Sequence, residues 1–79
     1  MEQRNTKQKR AIREAFLESD RPLSPEEAMK AARRLHRKLS IATVYRNIQN
    51  LVEAKWLQPV EIPGDATRYE VSEIGRAHV

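Results

Sequence analysis

Apolar residues recur at helical spacing through roughly the first two thirds of the chain and alternate with polar ones, as in a strand, through most of the rest. Ile12, Ala15 and Phe16 form a short i, i+3, i+4 stripe, the mark of a helix with one buried side. Thr6 can cap that helix, with Asn5 a competing choice, so the first helix is expected over about residues 6–19. "SDRPL" interrupts it, because Pro22 lacks an amide hydrogen and cannot continue the turn. "SPEE" then restarts the pattern. Ser24 can cap, Pro25 suits the first helical position, and Glu27 stands where it closes a capping box. Glu26 and Glu27 also favour the positive end of the helix dipole. This second helix carries Ala28, Met29, Ala32 and Leu35 and is expected over about 25–38. Arg33, Arg34, Arg37 and Lys38 would gather at its end, where cations suit the negative end of the dipole. Ser40 is the third cap, and the third helix is expected over about 41–55.

After Trp56 the period changes to two. "LQPVEI" and "TRYEVS" each alternate apolar and polar residues, and "PGDA" between them is turn chemistry. Strands are expected over about 57–62 and 67–72, with Pro59 confining the first to an edge or to pairing on one side. Three helices followed by a two-stranded ribbon give a mainly α fold with a β-hairpin, the order of a winged helix-turn-helix. A lone hairpin is marginal in water, so it must lean on the helices, and Trp56 stands where it can join the two. The competing reading is a generic α+β mini-domain whose hairpin merely closes the core.

The third helix has an unusual outer face. At 100° per residue, Ile41, Val44, Ile48, Leu51 and Val52 cluster on one third of its circumference. Arg46 lies nearly opposite, flanked by Ala42, Gln49, Asn50 and Glu53, with Thr43 and Tyr45 towards the edges. That inventory suits a major groove. Arginine bonds guanine O6 and N7 bidentately, while Thr and Tyr touch a thymine methyl or a phosphate. Small Ala42 allows close approach of the helix, and its N-terminal amides are natural phosphate ligands. The plainer alternative makes Tyr45 a half-buried packing residue and Arg46 a solvated charge.

Composition narrows the classes. Seventy-nine residues suffice for one small domain. With no cysteine there is no disulfide, thiolate metal site or thiol nucleophile, which fits a cytoplasmic setting. No apolar run approaches the ~20 residues that span a bilayer, and the opening "MEQRNTKQKR" lacks the apolar stretch of a signal peptide. Residues 1–39 hold eleven Lys/Arg against six Asp/Glu, while 40–79 hold four against five. A basic N-terminal half suits an anionic partner, or is simply a lysine-rich surface. Arg4, Lys7, Lys9 and Arg10 lie where an arm can reach phosphates or a minor groove. Arg68 can touch DNA backbone from the wing or pair across the hairpin. No nucleophile–base set or glycine-rich phosphate loop supports an enzyme, and neither strand offers an aromatic platform for RNA.

"ATVYRN", preceded by Ser40, resembles the recognition helix of the ferric uptake regulator (Fur) family of bacterial metal- and peroxide-responsive repressors. The likeness extends to "RNTKQKRAI", "LSPEEAM", "LVEAKWL" and "RYEV", covering nearly the whole chain in order. It implies a winged-helix domain that binds operator double-stranded DNA as part of a dimer. Tyr45 and Arg46 would meet bases, a basic residue of the first helix would reach a minor groove, and Thr43 and Ser40 would sit near phosphates. Family members usually continue into a dimerisation domain with a His-rich metal site, and this chain stops at "RAHV", about where that would begin. A metal-binding His that often precedes the second helix is replaced by Pro22. Glu70 and His78 are weak metal candidates, too few for a site of about four ligands. The expectation is no cofactor in this chain alone, with a divalent metal (Fe, Zn or Mn) and a homodimer belonging to a full-length protein. A protein-interaction winged helix without DNA binding is the alternative function.

Overall fold

The structure, a computed structural model, describes residues 2–77, with side chains from residue 6 onward. Helix α1 spans Glu2–Glu18, α2 Pro25–Ala32 and α3 Ile41–Glu53, followed by strands β1 Leu57–Val60 and β2 Arg68–Val71 and a short helix α4, Glu73–Ala77. No helix among the described residues is long and apolar enough to cross a membrane.

The N-terminal signals of α2 and α3 work as local chemistry requires. Ser24 Oγ accepts the Glu27 amide while a Glu27 carboxylate oxygen accepts the Ser24 amide at 2.9 Å, a complete capping box with Pro25 at the first helical position. Ser40 caps α3 by accepting the Thr43 amide. At the other end of α3, the Trp56 amide bonds Leu51 O and the Lys55 amide bonds Val52 O. This is a Schellman closure, with Lys55 in the left-handed position (φ 67°) that glycine usually takes.

α3 and both strands end within two residues of expectation, while two helix boundaries differ by more and one further helix is present. α1 begins at Glu2, so Thr6 lies within the helix rather than at its cap. α2 ends at Ala32, not near residue 38. Tight turns follow, with the Leu35 amide on Ala32 O and the Leu39 amide on His36 O. The cause is tertiary: Leu39 is 0% exposed, and Arg33 Nε donates to its carbonyl at 2.9 Å, folding the chain back on the helix end. Leu35, expected on the apolar stripe, is 65% exposed instead. The basic residues beyond position 33 consequently lie in the loop, past the reach of the α2 dipole. Finally, the tail forms α4. Ser72 caps it by accepting the Gly75 amide while donating to Lys55 O, a dual bond that ties the tail to the end of α3.

β1 and β2 pair antiparallel with Leu57 opposite Val71 and Pro59 opposite Tyr69. β1 is an edge, as Pro59 demands. The other side of β2 bonds the segment before α2, with Leu23 and Tyr69 exchanging both amide–carbonyl bonds at 2.8–2.9 Å. The ribbon is thereby stitched to the helices. Ile12, Phe16, Leu23, Leu39, Val44, Ile48 and Leu57 build one continuous core that Trp56 closes, with the Arg13 guanidinium 5.5 Å from the Trp56 ring centroid.

Candidate nucleic-acid interface

α3 is held by one face and free on the other. Val44 and Ile48 are buried, with Ile41, Leu51 and Val52 packed partly against the core. Ala42, Tyr45, Arg46, Gln49 and Asn50 are exposed, and Thr43 is half-buried. Tyr45 is 45% exposed, so part of its ring rests on the helix flank and part faces solvent. The first two turns of α3 therefore present a methyl, a hydroxyl, a phenol and a guanidinium to solvent. Ser40 Oγ donates to Thr43 Oγ1 at 3.0 Å, so the cap also orients the threonine hydroxyl.

Asn47 borders the apolar stripe of α3, next to Leu51 on the helical wheel. It is only 8% exposed, and its amide nitrogen donates to Thr43 O at 2.9 Å within the same helix. A polar residue satisfied by its own backbone can be buried at little cost.

Lys7, Lys9 and Arg10 are exposed on α1, with Arg4 one turn earlier on the same helix. Lys7 and Arg10 line a concavity shared with the α2–α3 loop. Arg68 is differently placed. Its Nη1 donates to Glu27 Oε1 at 2.8 Å and its Nη2 to Asp65 Oδ2 at 3.3 Å, while Nε is buried without a partner. The guanidinium bonds across the α2–β2 junction and to Asp65 in the turn of its own hairpin, bracing the wing against the helix-turn-helix. The Ser24 amide, then Arg68 and Arg21, hold the Glu27 carboxyl below its ordinary value of 4.5, against a partial desolvation that works the other way.

Of the two metal candidates, one is described. Glu70 Oε2 accepts from Gln58 Nε2 across the ladder at 2.6 Å, and His78 lies outside the described residues. Among the described residues, no three His, Cys, Asp or Glu side chains stand together as a metal cluster.

Helix-turn-helix, ribbon and an outward-facing third helix together define a winged-helix domain. The ferric uptake regulator family model matches residues 1–79. The chain belongs to that family. Among solved structures, it is similar to the ferric uptake regulator Fur of Helicobacter pylori, a protein with three functional metal-binding sites. Identity is 29% and TM-score 0.78, covering 86% of this chain and 47% of that one. A PerR of Streptococcus pyogenes, which senses peroxide, shares 25% identity at TM-score 0.72, covering 80% of this chain and 44% of its own. The Campylobacter jejuni peroxide stress regulator, 22% identical at TM-score 0.78 over 91% of this chain and 53% of its own, shows likeness of fold. The chain spans about half the length of these solved relatives. Comparison with curated proteins found no match.

Proposed function

We propose that this chain is the sequence-specific DNA-binding domain of a Fur-like bacterial transcriptional regulator, working in the cytoplasm and reading the major groove with α3. The observation that carries the proposal is the free outer face of the first two turns of α3. Its exposed Ala42, Tyr45 and Arg46, with Thr43 beside them, stand on a helix anchored at Val44 and Ile48. Arg46 would bond a base edge bidentately, with Tyr45, Thr43 and the methyl of Ala42 completing the contact. Ser40 and the basic residues of α1 (Arg4, Lys7, Lys9 and Arg10) would take the sugar-phosphate backbone or a minor groove. Arg68 would hold the wing against α2 and, from it, approach the DNA backbone. In a full-length protein the domain would act as one half of a homodimer, on two half-sites, under the control of a divalent metal held elsewhere.

The test is a mobility shift on a site selected from a random duplex library. Arg46→Ala and Tyr45→Ala should each weaken the selected site, Arg46→Ala by about 5- to 150-fold, the equivalent of ~1–3 kcal/mol for one bidentate pair. Parent-like binding by both variants would remove α3 as the reader. Salt separates this function from a protein-docking winged helix, since phosphate-led affinity falls steeply with added salt and an apolar interface responds little.

A further inference from the structure

We infer that the α2–α3 loop and the first helix together form a separate phosphate cradle, in which Arg37 and Lys38 join Lys7 and Arg10 on the DNA backbone beside the groove that α3 enters. This rests on the DNA-binding reading above and extends it to residues that the helical pattern had assigned to capping a dipole.

The cradle is a concavity of about 390 Å³. Four cations, Lys7, Arg10, Arg37 and Lys38, surround a floor of Ala11 and Leu35, with His36 beside them and no acidic side chain in the lining. Two elements nearly thirty positions apart in sequence contribute two cations each. Like charges gathered this way repel one another, and an anion placed between them relieves that repulsion. None of the four makes an ion pair among the described residues; the ion pairs there use Arg21 and Arg68. The dipole explanation fails for Arg37 and Lys38 because α2 ends at Ala32, with Arg33 as its cap.

The loop is also fixed rather than loose. Leu39 is fully buried and its carbonyl is held by Arg33, while Ser40 begins α3. Lys38 is two residues from that cap, so its Cα lies within about 8 Å of it. A duplex engaged by the start of α3 would thus have Arg37 and Lys38 within side-chain reach. Four cations around a mostly apolar floor suit phosphates, which set register and carry no base information.

Fluorescence anisotropy with a fluorescein-labelled random-sequence 24-bp duplex, titrated across sodium chloride concentrations, tests the cradle. Arg37→Ala/Lys38→Ala removes two exposed charges from it. Lys30→Ala/Arg34→Ala removes two exposed charges from a different cleft, which α2 shares with the C-terminal half of α1. The cradle variant should reduce the slope of log K against log salt by about 2, at roughly 0.9 per phosphate contact. The control should keep the parent slope. The cradle variant should also keep the parent's ratio of selected-site to random-duplex affinity, which Arg46→Ala should collapse. Equal slopes for the two double variants would overturn the cradle and leave the α3 reading intact. If the cradle variant lost selected-site preference alone, its residues would be base readers and the phosphate assignment would be wrong. Failure of the parent to bind any duplex would overturn both. Circular dichroism should show all variants melting with the parent, because every altered side chain is exposed.

Discussion

Leu35 and Leu39 stand one helical turn apart in sequence, and the structure separates them: 65% exposure against 0%. Had α2 continued to residue 38, Leu35 would share the stripe of Ala28 and Ala32 and face the core. Truncating each leucine to alanine therefore distinguishes the two arrangements. At Leu39 the change removes three carbons from the interior, about 2.4 kcal/mol of transfer free energy at ~0.8 kcal/mol per methylene. The cavity left behind adds to that, and buried Leu→Ala changes run from about 2.7 to 5 kcal/mol. A loss of ~3 kcal/mol is expected. Leu35 has only about a third of its surface away from water, so the same arithmetic gives less than about 1 kcal/mol, partly offset by regained rotamer freedom. For a domain of this size 1 kcal/mol moves the midpoint by about 4–8 °C. Thermal unfolding followed by far-ultraviolet circular dichroism should thus show Leu39→Ala melting about 12–24 °C below the parent, and Leu35→Ala less than about 8 °C below. Equal losses, or the larger one at Leu35, would refute the early end of α2.

Three further changes test the joints of the fold. Glu27 has its pKa held below that of the unfolded chain, so its ionisation stabilises the fold above about pH 4.5, and that contribution fades as pH falls through the depressed value. Glu27→Gln should lower the melting temperature at neutral pH, with the gap to the parent closing in acid; a gap that stays constant down to pH 3 would sink the assignment. Gly75→Ala would place a methyl 2.5 Å from Trp56 O and 2.9 Å from Val71 Cγ1, overpacking that costs about 1–3 kcal/mol; an unchanged midpoint and unchanged Trp56 emission would show that α4 is not docked there. Lys55→Gly should raise stability by up to ~1 kcal/mol, because a non-glycine residue at φ 67° carries left-handed strain, and a lower midpoint in urea would contradict that.

What the residues announced and what they concealed divide along the range of the interactions. The Ser24–Glu27 box and the Ser40 cap were legible because each spans three residues and depends only on local backbone geometry. The hairpin was legible from its period and turn, down to the edge position of β1. Arg68 was not, since its partner Glu27 lies 41 positions away and nothing local pairs them. The burial of Asn47 rests on a bond to Thr43 O, which satisfies its side-chain amide within the helix. α4 was overlooked, although Ser72 followed by Glu73 is a cap and an acidic first turn.

The end of α2 shows most clearly how one packing choice rewrites a functional surface. Helical periodicity favoured continuing through Leu35, and local propensity offered nothing to stop it. The core instead took Leu39, which is reached only if the chain turns back after Ala32. Burying that one leucine exposes the other, draws Arg33 onto a loop carbonyl, and strips Arg37 and Lys38 of a helix end to neutralise. Those two cations are thereby left in the loop that leads into α3, beside Lys7 and Arg10. The basic half of the chain is thus a consequence of core packing as much as of composition, and its function follows from where the turn places the charge.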